Sequence, residues 1–311
     1  MGIKVAVIGV GHLGRHHTRL LASLPGAELS AVVDRDRDRA QEIASLHGVR
    51  AYSAVGSLPE DIRAVTIAVP TESHHPVALE CLERGWHLLV EKPLTSTAAQ
   101  GRQIVEGAQR RGVVLQAGHT ERYNPAVREA LSRVRIPRFL EVHRLGTFAT
   151  RSLDVDVILD LMIHDLDIAL SLNPGGVESV AAVGVNALTD KMDIANARIR
   201  FRSGCVANLT ASRISTDRVR KIRIFQADSY LSVDSALQEL VHFRLERSGD
   251  GAPGIVQVPS GVHKEEPLRA ELLDFLEAVG EGRSPLVTGQ DGLAALELAE
   301  QVQRAIQEGG S

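Results

Sequence analysis

The first third of the chain alternates short apolar runs with stretches whose apolar residues recur at helical spacing. Residues 3–8 (IKVAVI) form a run rich in β-branched side chains, the pattern of a strand buried on both faces. Residues 11–23 then carry a helical pattern that Pro25-Gly26 stops. The alternation repeats. Strands are predicted at 28–33, 64–69, 87–90 and 113–117, and helices at 37–47, 73–84 and 97–111, the helices ending at Gly48, Gly85 and Gly112. Strands that alternate with helices join in parallel through right-handed crossovers, so the pattern predicts a doubly wound parallel sheet.

Beyond about residue 120 the pattern changes. Residues 137–150 read as mostly extended, and 157–172 as an apolar helix closed by Asn173-Pro174-Gly175-Gly176. Strand-like runs follow at 177–185, 193–201, 206–212, 221–226 and 238–247, joined by short turns such as Ser203-Gly204, which predicts antiparallel hairpins. Residues 249–261, rich in Gly and Pro, read as a surface loop, and two amphipathic helices at 266–279 and 291–307 finish the chain. The expected architecture is α/β: a parallel-sheet domain over 1–120, then an α+β domain with an open, mostly antiparallel sheet over 121–311. The final helices are able to pack back on the first domain. A length of 311 residues agrees with two domains at roughly 150 residues each.

Composition leaves this picture standing and removes some functions. Hydrophobic residues make up 44% and charged residues 24%, the balance of a globular chain that needs no disulfide or metal to fold. The net charge is −4 with no long basic block, which argues against binding nucleic acid through its phosphates and leaves room for a local basic pocket. No apolar run approaches the ~20 residues a membrane span requires. Residues 1–6 (MGIKVA) show neither a signal-peptide pattern nor a myristoylation pattern. A soluble cytoplasmic protein is expected. Cys81 and Cys205 lack CxxC or metal-ligand spacing and read as reduced packing thiols.

Gly9-Val10-Gly11-His12-Leu13-Gly14 is G-x-G-x-x-G. Alone the pattern is weak. Here it follows the first strand and opens the first helix, and Asp34 ends the next strand at the spacing of about 20 residues that Rossmann dinucleotide sites use. The first glycine allows the tight turn, the second admits a pyrophosphate close to the backbone, and the third lets helix and strand pack. The helix start supplies N–H groups and partial positive charge for phosphates. Asp34 would accept hydrogen bonds from the adenosine ribose hydroxyls and repel a 2′-phosphate. NAD is therefore the expected cofactor and NADP the less favoured one, although Arg35, Arg37 and Arg39 could offset part of that charge.

Glu91-Lys92-Pro93 ends the strand at 87–90, on the side of the sheet where ligands bind. Lys92, beside a carboxylate and before a rigid proline, is placed to face the cofactor. Further on, Asp160 and His164 stand four residues apart in the otherwise apolar stretch Asp160-Leu161-Met162-Ile163-His164-Asp165-Leu166-Asp167. Polar groups in such a helix cost free energy unless paired. Two explanations stay open: a core histidine satisfied by a neighbour, and a general base for an alcohol. D-x-x-x-H can also suggest a metal. The sequence places no further ligands and hydride transfer to NAD requires none, so no metal is expected.

Over nearly its whole length the chain resembles the Gfo/Idh/MocA family of nicotinamide-dependent oxidoreductases. The resemblance rests on residues 9–14, on Val69-Pro70-Thr71 with His74, on Glu91-Lys92-Pro93, on Asp160-x-x-x-His164, and on the stretch from Leu273 through Pro285, Asp291-Gly292 and Leu296. It implies that Lys92 contacts both the nicotinamide ribose and the substrate hydroxyl. Asp160 would orient the substrate or His164, and His164 would take the hydroxyl proton. The cofactor would be held by Gly9, Gly11, His12, Leu13, Gly14, Asp34, Arg35, Val69, Pro70, Glu91 and Lys92, with His74 in the pocket wall. The family also implies a homo-oligomer, dimer or tetramer, formed through the open sheet.

Fold does not give substrate, but two segments narrow it. Gly118-His119-Thr120-Glu121-Arg122-Tyr123-Asn124-Pro125 follows the strand at 113–117 near the expected mouth of the site. Arg122, Tyr123 and Asn124 offer a planar cation, an aromatic face and an amide. Arg213, Arg218, Arg220, Lys221 and Arg223 form a cationic run, either an ordinary hairpin and exposed strand face or a grip on an anionic group such as a diphosphate. The Arg-Tyr-Asn-Pro segment together with residues 160–167 resembles a branch of the family that oxidises UDP-N-acetylglucosamine at its 3-hydroxyl, toward an amide-linked lipid A precursor. The expected activity is thus NAD-dependent oxidation of a sugar secondary hydroxyl to a ketone, with a nucleotide sugar as substrate. One alternative is a dehydrogenase of an unactivated sugar or inositol. Another, of a different class, is a non-catalytic dinucleotide-binding sensor, against which the presence of Lys92, Asp160 and His164 counts.

Overall fold

The computed structural model describes residues 2–148, 155–173, 175–246 and 254–309. The chain divides into two compact units, Met1–Thr120 with Glu266–Leu296, and Glu121–Glu265 with Glu297–Ser311. In the first unit β1 (Ile3–Ile8), α1 (His12–Leu21), β2 (Ala27–Val33), α2 (Arg37–His47), β3 (Arg50–Tyr52), β4 (Ala64–Ile67), α3 (Thr71–Glu83), β5 (His87–Glu91), α4 (Ala98–Arg111) and β6 (Leu115–Gly118) alternate. The six strands are all parallel, in the order β3-β2-β1-β4-β5-β6. Local chemistry sets the helix ends. Asp36 caps α2 by accepting the Arg39 N–H, Thr97 caps α4 by accepting the Gln100 N–H, and Gly48 ends α2 at φ 66°. The strand order reverses between β1 and β4. That switch point leaves the carboxyl ends of β1, β2, β4 and β5 around one crevice, where α/β sheets bind ligands.

The second unit contains α5 (Pro125–Arg133), β7 (Phe139–Leu145), a π-helical turn over Ile158–Met162 that leads into α6 (Ile163–Ser171), and seven further strands. These are β8 (Val177–Val185), β9 (Ile194–Phe201), β10 (Val206–Ser212), β11 (Val219–Phe225), β12 (Ser229–Asp234), β13 (Glu239–Glu246) and β14 (Gly254–Val258). Their sheet has the order β14-β13-β12-β11-β7-β10-β9-β8, and among the described residues β7 with β10 is its one parallel pair. Alternation sorts the faces. In β9, Ala195, Ala197, Ile199 and Phe201 are buried while Asn196, Arg198 and Arg200 are exposed. The buried face, with Leu140, Val142, Leu209, Ile222 and Leu231, packs with Val127, Met162 and Leu166.

α7 (Pro267–Glu281) buries Leu268, Leu272, Phe275 and Leu276 in one core with Val5, Val7, Leu20 and Val32, so it belongs to the first unit. α8 (Gly289–Gly309) supplies Leu293 and Leu296 to the buried set of the first unit and Leu298, Ala299 and Val302 to the core of the second. Four elements depart from the sequence pattern. Residues 254–258, expected within a loop, pair with β13, and the pattern does not predict β3, α5 or β12. Each is short or rich in polar residues; β3, β12 and β14 are completed by the strands they pair with, and α5 by the Asn124 cap and its buried Ala126, Val127 and Ala130. Pro174, Arg247, residues 149–150 and residues 249–253 of the expected loop lie outside the described residues. Among the described residues no helix is long and apolar enough to cross a membrane.

Candidate active site

The glycines of the first loop have different reasons to lack a side chain. Gly9 has φ 84°, and a Cβ there would lie 2.7 Å from the Ala68 carbonyl oxygen. A Cβ on Gly14 would lie 1.8 Å from the Gly9 carbonyl oxygen. Gly11 differs, because a Cβ there meets nothing within 4 Å. The protein's own packing does not require that glycine, and the open space leaves room for a ligand to approach the backbone. No side chain caps α1, and the first N–H to reach a carbonyl within it is that of Arg15, on Gly11 O at 3.1 Å. Such a helix start presents its leading N–H groups and positive dipole end to an anion.

Asp34 follows β2 and is 7% exposed. One carboxylate oxygen accepts the Val10 N–H and the other the Asp36 N–H, each at 3.0 Å. The carboxylate is thereby fixed against the glycine loop with lone pairs left for ribose hydroxyls. Arg39 stands 3.5 Å from Asp34 and 3.1 Å from Asp36, so two acids match its charge. Arg35 and Arg37 are exposed. An open glycine, an uncapped helix start and an anchored acid together suit a dinucleotide.

On the same unit, Lys92 is half-buried and its peptide bond to Pro93 is cis. Its backbone N–H donates to Glu91 Oε2 at 3.2 Å, and Glu91 Oε1 accepts from His17 Nε2 at 2.9 Å. Both partners are buried. Burial and the charge of Glu91 push the Glu271 carboxyl of α7 well above the usual carboxylate range, and Glu271 Oε2 accepts the Thr120 hydroxyl at 2.9 Å. His74 lies 2.8 Å from Pro93 O through Nδ1 and 2.9 Å from Val69 O through Nε2. Its expected place in a cofactor-pocket wall is therefore qualified: both ring nitrogens face the protein's own backbone.

In the second unit Asp160 sits in the π-helical turn and His164 in the first turn of α6, both half-buried. The expected uniform α-helix is thus broken at the residues of interest, and π turns of this kind recur at functional sites. Asp156 pins the turn. Its Oδ1 accepts the N–H groups of Ile158 and Leu159, each at 3.0 Å, and its Oδ2 accepts Gln303 Nε2 at 2.7 Å. Asp165, next to His164, is held by Arg144 through two hydrogen bonds of 2.9 and 2.7 Å. Arg144 also donates to Glu121 at 3.0 Å. Burial alone would raise the Glu121 pKa, but Arg144 and Arg220 outweigh it and hold the carboxyl below its usual range. Asp165 and Asp167 are legible in the sequence as polar residues in an apolar helix. Arg144, on a distant strand, carries no sequence signal.

The residues expected to contact the substrate find partners inside the protein. Arg122 is buried against Asp167 at 3.2 Å, and Tyr123 is 2% exposed. Asn124 caps α5 through Oδ1 on the Ala126 N–H at 3.1 Å, and its Nδ2 donates to Ser235 O at 2.8 Å. Arg213 is buried and donates to Val155 O at 2.8 Å. Arg220 pairs with Glu121 at 3.1 Å, Lys221 with Asp234 at 3.6 Å and Arg223 with Glu141 at 2.6 Å. A guanidinium inside a fold must be matched by an acid or carbonyl, and these are. Of the cationic run only Arg218 extends as an exposed side chain with no ion pair among the described residues.

Fold and site together define a class, an oxidoreductase that binds a dinucleotide on a Rossmann unit. Residues 3–119 match the oxidoreductase family with NAD-binding Rossmann fold, and residues 126–229 match the Gfo/Idh/MocA C-terminal domain. The chain belongs to the Gfo/Idh/MocA oxidoreductase family. It is 40% identical over 308 residues to the UDP-N-acetylglucosamine 3-dehydrogenase of Acidithiobacillus ferrooxidans, covering 98% of this chain and 97% of that one. A solved structure of that enzyme matches with a TM-score of 0.92 at 38% identity, over 99% of both chains. The scyllo-inositol 2-dehydrogenase (NAD(+)) of Bacillus subtilis is 28% identical over 316 residues, covering 95% of this chain and 92% of that one. A levoglucosan dehydrogenase solved with NADH and levoglucosan shares the fold, with a TM-score of 0.89 at 20% identity over 99% and 98% of the chains. The cofactor is NAD, and the enzyme class is a dehydrogenase acting on alcohols.

Proposed function

We propose that this enzyme oxidises the 3-hydroxyl of UDP-N-acetylglucosamine to a ketone. The observation that carries the reading is the full-length 40% identity to a UDP-N-acetylglucosamine 3-dehydrogenase, in a chain that also holds Lys92, Asp160 and His164. Bound NAD would supply the hydride acceptor for the carbon that bears the hydroxyl. His164 takes the hydroxyl proton onto a ring nitrogen, and Asp160, in the pinned π turn, orients the substrate or that ring. The Lys92 side chain holds the hydroxyl oxygen and the nicotinamide ribose. Gly9, Gly11, His12, Leu13 and Gly14 cradle the pyrophosphate. Asp34, with Arg35 beside it, takes the ribose and disfavours the 2′-phosphate of NADP, and Val69, Pro70 and Glu91 complete the cofactor site. A keto sugar is the form an aminotransferase accepts, which suits a later step toward an amide-linked lipid A precursor.

The open sheet face supports a homo-oligomer. Phe139, Phe225, Tyr230 and Phe243, all half-buried, stack across four strands with centroid separations of 5.7, 4.9 and 6.5 Å. They point away from the face that Leu140, Ile224 and Leu231 pack into the core. A second copy of the chain is the occupant we assign to this face.

A second reading, a dehydrogenase of an unactivated sugar or inositol, is favoured by the internal pairing of Arg122, Arg220, Lys221 and Arg223, which leaves fewer uncommitted cations for a diphosphate. One experiment separates the two. Protein and NAD are given UDP-N-acetylglucosamine, N-acetylglucosamine, glucose or myo-inositol, with a carbonyl trap to draw the uphill oxidation forward, and NADH formation is followed. Turnover of the UDP-sugar alone, slower with NADP than with NAD, is the expected result. Turnover of inositol or glucose with the UDP-sugar inert would replace the first reading by the second.

A further inference from the structure

We infer that His17 is a positioning residue: through the Glu91 carboxylate it ties Lys92 to α1, the helix whose start faces the dinucleotide. The inference rests on the reading of Lys92 as the group that holds the substrate hydroxyl. His17 lies within α1 and is 0% exposed. Its Nε2 is 2.9 Å from Glu91 Oε1, and Glu91 Oε2 accepts the Lys92 N–H at 3.2 Å. Glu91 ends β5 and is itself buried. The neighbouring strand makes room for it. Gly118 of β6 is paired with Glu91, and a Cβ there would lie 2.8 Å from both Glu91 Oε2 and Glu91 Cα. Gly118 does not take a left-handed φ, so its missing side chain serves the space around Glu91 and not a turn.

A buried imidazole costs free energy that an apolar side chain of similar size would not, unless it is paired. A neutral ring has one N–H to give. His17 Nδ1 is buried with no hydrogen-bond partner among the described residues, and the Glu91 carboxylate accepts at both oxygens. The proton therefore belongs on Nε2, one donor for one acceptor. A second acid lies in the same core. Burial first, and then the charges of Glu91 and Asp274, push the Glu271 carboxyl of α7 well above the usual range, against the opposing hydrogen bond from Thr120. That favours the neutral form of Glu271 and leaves the negative charge on Glu91, where His17 and the Lys92 N–H meet it. Fully buried, His17 acts through Glu91. Without its donor the carboxylate would have to move to find another, and the peptide that begins Lys92 would move with it.

The amide nitrogen of glutamine falls near the position of Nε2, and that of asparagine near the position of Nδ1. His17→Gln therefore keeps the donor to Glu91, while His17→Asn and His17→Leu lose it. Glu91→Gln keeps the size of the acceptor and removes its charge. The four variants are made in the full chain. Three quantities are measured: melting temperature, kcat on the sugar that turns over, and labelling of Lys92 by a limiting amine reagent relative to the exposed Lys264 of the same molecule. His17→Gln is expected to keep the wild-type labelling ratio and kcat. His17→Asn, His17→Leu and Glu91→Gln are each expected to raise the ratio about fivefold, the factor one lost hydrogen bond represents. Each should also lower kcat by about 10²-fold, as small misplacements of a reacting group do. If His17→Gln behaves like His17→Leu, or if the Asn and Leu variants lower only the melting temperature, the ring is packing and the inference fails. Should the His17 variants not fold, Glu91→Gln decides, and a wild-type ratio and kcat in that variant overturn the inference. Lys92→Met runs in parallel. Full turnover by that variant would remove Lys92 from the chemistry, while the labelling ratio still judges the link from His17 by itself.

Discussion

Lys92 and His164 are the residues we propose for the proton chemistry, and each sits where its chain position alone would not explain it. Lys92 is half-buried and adjoins Glu91, which pairs with His17, and His164 follows a π turn that Asp156 pins. Lys92→Met and His164→Ala are each expected to lower turnover by about 10²–10⁴-fold. NAD should still raise the melting temperature of both variants, because cofactor binding to the folded state stabilises it by mass action. Near-normal turnover of His164→Ala at saturating substrate would make His164 a satisfied core histidine. At this level Asp34 is readable from its spacing to Gly14, since α1 and β2 between them fix that spacing. Arg122 and Arg213 are not, because residue type does not reveal burial. Asp167 and the Val155 carbonyl, which hold them, are distant or unremarkable in the sequence.

The glycine loop and α1 allow a test at the next level of organisation, because Gly14 and Gly11 lack a side chain for different reasons. A methyl group at Gly14 would collide with the Gly9 carbonyl, 1.8 Å from its Cβ, so the loop must move. Gly14→Ala should destabilise the cofactor-free protein by about 1–3 kcal/mol, read as a lower melting temperature. A methyl at Gly11 meets nothing in the protein. Gly11→Ala should melt near wild type and yet bind NAD at least about tenfold more weakly, since the pyrophosphate has to approach that atom. Wild-type NAD affinity in Gly11→Ala would mean that Gly11 does not face the cofactor. Long periodic elements such as α2 and α4 are legible because burial of one face imposes the 3.6-residue repeat. β12, β14 and the π turn are not. β12 and β14 lie in polar or Gly- and Pro-containing stretches without the unbroken β-branched run that marks β1, and a π turn differs from an α turn by one hydrogen-bond partner and not by composition.

For the chain as an assembly, the stacked Phe139, Phe225, Tyr230 and Phe243 make a definite expectation. The protein should sediment as a dimer or tetramer at micromolar concentration, and Phe225→Asp should shift it to the monomer, because a carboxylate on an apolar contact face cannot be desolvated cheaply. A wild-type protein that sediments as a monomer throughout would withdraw the interface from this face. The parallel sheet of the first unit, its cofactor loop and the acid at the end of β2 are determined by the order of residues alone, since their signals are local: unbroken apolar strands, helix periodicity, and glycines whose backbone alone fits. Pairing required three dimensions. The parallel contact of β7 with β10, the membership of α7 in the first unit and the Arg144–Asp165–Glu121 cluster each join residues far apart in the chain. Local periodicity shows that a face will be buried or that a charge needs a partner. Which face or partner answers it depends on close packing and charge matching among distant segments, and these exist once the chain has folded.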